Sequence, residues 1–238
     1  LSIQGFKIMI LDSIYNEGKL QEIYKSMSKK VKDYFADYDE IFTLNYDNNI
    51  EHLMGKNVFH LHGDFSVLAD SENPNTVNGY IRNKEGKTVV IPGYEHCYCN
   101  ALLNYSGKLK LKKAEENHQL IVEYDKNYKD EYLQNDNYIN WLNNLKVSDE
   151  NSYKIIMTKI KHFELKAASE YYFENFKDIK DELHIIGLSP NNDDHIFNLI
   201  RNNKSIKRVI YYYYSQHEKE YIDKNFPQDI FISKSVES

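Results

Sequence analysis

This 238-residue chain reads as a parallel α/β fold on three observations. Short runs rich in β-branched and aromatic residues, Glu40-Ile41-Phe42-Thr43-Leu44, Asn57-Val58-Phe59-His60-Leu61 and Leu183-His184-Ile185-Ile186, have the composition of buried strands. Segments with apolar residues at helical spacing lie between such runs. Polar residues and glycine gather where the runs end: Asn45 and Asp47 after the first, His62-Gly63 after the second, Gly187 and Ser189 after the third. In an open parallel sheet that edge is where ligands bind.

Taken in order, Ile3 to Tyr15 predicts a helix that ends near Gly18, where glycine suits a helix stop. Leu20, Ile23, Tyr24, Met27, Val31, Tyr34 and Phe35 predict one long amphipathic helix from about Lys19 to Phe35. Strand 40–44, a short helix near Asn48–Met54 and strand 57–61 follow. Pro74, Gly79, Gly86 and many Asn, Asp and Ser mark 69–87 as a loop or hairpin, and Thr88-Val89-Val90-Ile91 as a strand stopped by Pro92-Gly93. Residues 94–180 read as a mostly helical insertion, with Tyr132, Tyr138, Trp141, Leu142 and Leu145 at helical spacing. A second long helix is expected from Ser152 to about Phe176. The last third alternates again: strand 183–186, helix Asp193–Asn202, strand Lys207–Tyr214, helix 216–225 and strand Asp229–Ile232.

Composition narrows the functions open to the chain. The formal net charge is −6, with Lys and Asp/Glu interspersed, so no global positive field recommends nucleic acid. No apolar stretch approaches the roughly twenty residues that span a bilayer. Cys97 and Cys99 stand alone, two residues apart. That is a poor disulfide spacing, which favours a reduced, cytoplasmic compartment. The 21 Tyr fit a compositional bias of the genome better than a binding function. Tyr211–Tyr214 reads as a strand and Lys108–Lys113 as a solvated face.

Each strand-end motif has a plain alternative. Asn45 and Asp47 suit a turn, because both side chains bond their own backbone. A His at a strand end is often a satisfied, partly buried residue. Asp193 and Asp194 suit a helix start whatever the ligand. Taken together the motifs say more. They place an amide, a carboxylate and an imidazole at consecutive strand ends, followed by a glycine and a hydroxyl residue before a helix amino end, an arrangement that accepts phosphate.

Thr43-x-Asn45-x-Asp47, then His62-Gly63, then Gly187-x-Ser189 before Asp193-Asp194 resembles the sirtuin-like pattern of strand-end motifs. The chain looks closer to prokaryotic sirtuin-like phage-defence proteins and AbiH-type abortive-infection proteins than to deacylating sirtuins. The likeness covers about residues 40–65 and 183–215. It implies a single Rossmann-like α/β domain over 1–238, with 94–180 inserted, acting on NAD. By that likeness Asn45 and His62 are the catalytic pair at the nicotinamide-side ribose. Asp47 supports the nicotinamide end, Thr43 and Gly63 complete that edge, and Gly187 and Ser189 line the phosphate path. The four zinc-module cysteines of deacylating sirtuins are absent, which favours NAD glycohydrolase chemistry over deacylation and leads us to expect no metal. The family's opening strand and Gly-Ala-Gly loop are not found after Leu1, so the expectation is that this segment lies upstream or has been lost. In a defence setting, a homo-oligomer or a partner protein of the system would restrain the activity.

Two other readings remain open. One is a non-catalytic NAD or ADP-ribose sensor. The other is a metal-dependent hydrolase built on His60, His62 and Asp64, since His60 and His62 would share one face of a strand. Its remaining ligands would come from His96, His118 or His162. Cys97 and Cys99 with His96 form a further small cluster that lacks a partner half.

Overall fold

The computed structural model describes residues 3–66, 95–102, 106–115, 135–150, 153, 157 and 171–236. The expected loop at 69–87 and strand Thr88–Ile91 lie outside the described residues, as does most of the helix expected from Ser152 onward. The chain divides into two compact units, Leu1–Tyr171 and Tyr172–Ser238. It is a mixed α/β protein in which every described strand pair is parallel. Among the described residues no helix is long and apolar enough to cross a membrane.

The first unit opens with α1 (Ile3–Tyr15), a 3-10 segment (Asn16–Ser26) and α2 (Lys29–Ala36). Strands β1 (Phe42–Thr43) and β2 (Phe59–His60) flank α3 (Asn49–Met54) and pair in register Phe42↔Phe59 and Thr43↔His60. Short 3-10 turns at Glu95–Tyr98 and Asn100–Leu102, a helix over 107–115 and another at Asp136–Ser148 follow. The strands are shorter than the apolar runs that announce them, although the flanking Ile41, Val58 and Leu61 are all buried. Leu11, Phe65, Cys99 and Ala101 form a core cluster against which Tyr15, Leu20 and Tyr46 pack. Leu142 gathers Tyr138, Leu145, Tyr153 and Met157 in a second cluster.

The single helix expected from Lys19 to Phe35 is two pieces. Glu17 and Gly18 carry positive φ, and Met27 and Ser28 are extended. One side chain interrupts the α-helical ladder ahead of those extended residues. In an α-helix the Tyr24 N–H would donate to the Leu20 carbonyl. Here the amide of Asn49, 2% exposed, stands between them. Its Oδ1 accepts from Tyr24 N at 2.9 Å, and its Nδ2 donates to Leu20 O at 2.7 Å. A side chain inserted in the ladder satisfies both backbone groups while breaking the helix. Asn48 reinforces the dock, its N–H donating to Gln21 Oε1 at 2.8 Å.

The second unit holds a three-stranded parallel sheet in the order β3 (Asp181–Ile186), β4 (Ile206–Tyr213), β5 (Phe231–Ser235). Helices Asp194–Asn202 and Gln216–Asn225 make the crossovers, as parallel strands require. Ile196, Phe197, Ile200 and Ile222 bury their faces with Val209, Ile210 and Tyr211 of the central strand. Ser215 and Glu218 form a capping box that starts the second crossover helix. Tyr172 has a left-handed φ of 57°, so Phe173–Lys177 is a separate helix from anything upstream.

Replacing Asn49 by Ala removes the side-chain partner of a partly buried carbonyl and a partly buried N–H. The expected loss is about 2–4 kcal/mol, read as a lower urea midpoint at unchanged slope. Asn49→Asp, which keeps only the acceptor, should fall between. An Ala variant within about 0.5 kcal/mol of the native chain would show that the break has another cause.

Candidate functional site

The parallel register brings the segments after β1 and β2 side by side. Leu61 N donates to Thr43 O, and Phe65 N to Tyr46 O, both at 2.9 Å. Just before the first of these bonds sits His60, the last residue of β2, 3% exposed. Its Nδ1 donates to Asn45 O at 2.8 Å, and its Nε2 faces the Glu51 carboxylate in a short hydrogen bond. Both ring nitrogens therefore meet acceptors, which suits an imidazolium.

Charge balance favours that form. Burial works against a charge on His60, but the Glu51 hydrogen bond, the charges of Asp64 and Glu51 and the Asn45 carbonyl outweigh it, and the pKa is raised. Burial likewise raises the Glu51 carboxyl, yet the hydrogen bond and charge of His60 prevail and its pKa is lowered. Glu51 Oε2 is buried with no hydrogen-bond partner among the described residues.

The sequence-selected residues of the first unit fall around this pair. Thr43 ends β1, and its Oγ1 accepts from Asn45 N at 3.1 Å. Asn45 is exposed and Asp47 half-buried. Both line a cavity of about 590 Å³ together with Leu44, Tyr46, Ile50 and apolar residues from α1 through α2. Asp47 Oδ1 accepts from Asn49 N at 3.1 Å and Asn49 Nδ2 at 2.6 Å, tying the cavity rim to the helix break. His62 is half-buried and is not among the residues that line this cavity. Gly63, with φ 84°, is buried. A Cβ there would meet Asn100 Oδ1 at 2.4 Å and Ala101 N at 3.1 Å. That same Oδ1 accepts from Asp64 N at 2.9 Å.

Lys110 stands beneath the loop. The run Lys108–Lys113 was expected to be solvated, but Lys110 is 2% exposed, on the same helical face as buried Ala114. Its Nζ donates to His62 O at 2.5 Å and also to Ala101 O, and lies 5.3 Å from the Tyr46 ring centre. Burial pushes its pKa down to about 7, against the opposing pull of Cys99. Both carbonyls can be satisfied by amine or ammonium, since each form carries at least two N–H donors.

Gly187 and Ser189 belong to the second unit, at the carboxyl end of β3. Gly187 turns the chain with φ 70°. Ser189 O accepts from Asn192 N at 3.2 Å and Asp193 N at 2.9 Å, while Ser189 N donates to Asp193 Oδ2 at 3.3 Å. Asp193 thus does not cap its helix through its side chain; it closes the turn. Burial raises its pKa, with Asp194 adding to the effect. An incoming phosphate at this N–H would meet that carboxylate first.

His60, Glu51 and Lys110 are the residues that the strand-end reading missed as a working set. Alternation along β2 was the available signal for His60, since it puts His60 opposite the neighbours that flank it. The metal reading of His60, His62 and Asp64 fits poorly with this geometry. His60 is engaged at both nitrogens, and Asp64 Oδ1 accepts from Ser66 N at 2.7 Å and from Ser66 Oγ. Among the described residues the one His/Cys/Asp/Glu group close enough to hold a metal is Asp12, His96 and Cys97.

Two outcomes test this geometry. Gly63→Ala is expected to destabilise the chain by about 2–4 kcal/mol, from left-handed strain plus the collision with Asn100; an unchanged melting temperature would refute the close approach. The second concerns pH. A raised His60 pKa contributes stability that is complete below its ordinary value of 6.5 and is lost as pH rises through the raised value. A lowered Glu51 pKa contributes stability that is complete above its ordinary 4.5 and is lost as pH falls through the lowered value. The stability gap between the native chain and Glu51→Gln should therefore be widest between those ordinary values and shrink on both sides. A gap that stays constant from acid to alkaline pH would exclude the ion pair.

Comparison of this chain with protein-family models, with curated proteins and with solved structures finds no match in any of the three.

Proposed function

We propose that the chain is an NAD glycohydrolase of the sirtuin-like, Rossmann-like class, cleaving the nicotinamide–ribose bond to release nicotinamide and ADP-ribose. The observation that carries the reading is the placement of Asn45 and Asp47. They stand at the carboxyl end of a parallel strand pair, on the rim of a cavity of about 590 Å³, in the size range of small-molecule sites. The cavity has an apolar wall suited to a nicotinamide ring and a polar rim suited to a ribose.

In this mechanism Asn45 holds a ribose hydroxyl or the attacking water, and Asp47 supports the nicotinamide end. The C1′–N bond breaks with its electron pair going to nicotinamide. The water oxygen bonds to C1′, and His62, which stands outside the cavity lining and is assigned as base by the resemblance of the motifs, accepts the water's proton. The buried His60–Glu51 pair fixes the Asn45 backbone through the 2.8 Å bond to its carbonyl. Thr43 and Gly63 shape the edge; a phosphate-binding role for Gly187 and Ser189, which belong to the second unit, rests on the resemblance of the motifs alone. The defence role, a cytoplasmic setting and restraint by an oligomer or partner protein rest on the resemblance of the motifs.

The test is nicotinamide release from NAD by the purified chain, followed by chromatography. Turnover is expected to fall about 10²–10⁴-fold in His62→Ala and to fall also in Asn45→Ala. Undiminished release from His62→Ala would overturn the assignment of the base. NAD binding seen by calorimetry with no release from the native chain would identify a sensor module instead.

A further inference from the structure

A second constellation lies in the first unit and shares no residue with the NAD proposal. Asp12 and Tyr15 are three apart on α1 and so share a face. Tyr15 stacks on His96, with ring centres 4.1 Å apart and planes 5° from parallel. Asp12 Oδ1 accepts from His96 Nε2 at 2.8 Å. Cys97, the next residue, is buried and forms no disulfide. The donor atoms of Asp12, His96 and Cys97 all lie within 4.8 Å of one another. We propose that these three residues bind one divalent transition-metal ion of the zinc class.

The geometry and the chemistry of the donors agree. Tetrahedral zinc at about 2.0–2.3 Å from N, O and S donors sets those donors roughly 3.5 Å apart. The group reaches this if its widest separation, which is within 4.8 Å, closes by at most about 1.3 Å and the 2.8 Å Asp12–His96 bond opens by about 0.7 Å. A thiolate, an imidazole and a carboxylate together suit zinc rather than magnesium or calcium, which take oxygen ligands only. His96 and Cys97 are buried, while the Asp12 side chain is 55% exposed. The fourth position therefore opens toward solvent, as in sites that keep a water. The Tyr15 stack fixes the plane of the imidazole before any ion arrives. Cys99 takes no part: it lies in the core with Leu11, Phe65 and Ala101. Binding forms bonds from the metal to Sγ, Nε2 and a carboxylate oxygen. It releases the thiol proton to water, and the Nε2 proton passes to Nδ1 or to water. The ion joins α1 to a turn 84 residues further on, and it reverses the expectation of a metal-free chain.

The experiment uses cobalt(II) as a visible stand-in for zinc. The purified chain, stripped with chelator, is titrated with cobalt(II) and its absorption recorded. One ion per chain is expected, with tetrahedral ligand-field bands and a thiolate-to-cobalt charge-transfer band, both abolished by added zinc. Cys97→Ala should lose the charge-transfer band, and Cys99→Ala should keep it. Asp12→Asn, at an exposed position that tolerates the change, should keep the band but weaken binding at least about tenfold. Absence of a thiolate–cobalt band in the native chain would leave an ordinary Asp–His hydrogen bond and overturn the proposal. So would a band that persists in Cys97→Ala, or unchanged affinity in Asp12→Asn. The outcome is independent of NAD turnover, since no residue is shared.

Discussion

A buried histidine with an acceptor at each ring nitrogen holds the first unit's sheet edge together. Strands of two residues offer few ladder bonds, too few to fix a polar loop by themselves. His60 supplies the missing constraint by reaching across from the end of β2 to the Asn45 carbonyl, with Glu51 of α3 behind it. The loop after β1, helix α3 and the end of β2 thus meet at one ring. An ion pair in a low-dielectric setting holds its geometry more tightly than it contributes to stability, because desolvation consumes much of the attraction. Position is what a ligand site needs from it. The exposed amide of Asn45 can face a cavity because its own backbone is held from the inside.

Two further buried polar groups extend the same logic. Asn49 breaks the helix before β1 and, through Asp47, ties that break to the cavity rim. Lys110 holds the His62 and Ala101 carbonyls from below. Each replaces a backbone hydrogen bond that regular secondary structure would have supplied. The loops that carry the candidate site are irregular, and side chains complete their hydrogen bonding.

Legibility in the sequence followed the same division. Period-two and period-3.6 patterns find α1, α3, β3, β4 and both crossover helices of the second unit to within about two residues, while the last strand is shifted by two to three residues and Phe173–Lys177 reads as the end of a longer helix from Ser152. Leu20 to Phe35 read as one helix because its apolar spacing is unbroken; the Asn49 amide that takes over the Leu20 and Tyr24 backbone bonds lies far along the chain and has no local signature. Lys110 looked like part of a charged run, and only its place four residues before Ala114 distinguishes it from Lys108. Asn45, Asp47 and Gly63 were visible as strand-end residues, and their neighbourhood on paired strands followed from the parallel α/β pattern. His60 reads in the sequence as a metal ligand, whereas its surroundings give it an acceptor at each ring nitrogen. Turn chemistry at Ser189 was legible as a loop, but the choice of Asp193 to close it required coordinates.

The contact between Gly63 and Asn100 carries a consequence for how this loop can vary across evolution. The two positions are thirty-seven residues apart, yet the space at one is set by the side chain at the other. Asn100 also supplies the acceptor for Asp64, so it cannot simply shrink. In any relative, a side chain at position 63 would have to arrive with a smaller residue at position 100 and a new partner for the amide at 64. Such a three-way exchange is rare by single steps, so the pair should persist or change as a unit even in lineages where the ligand differs.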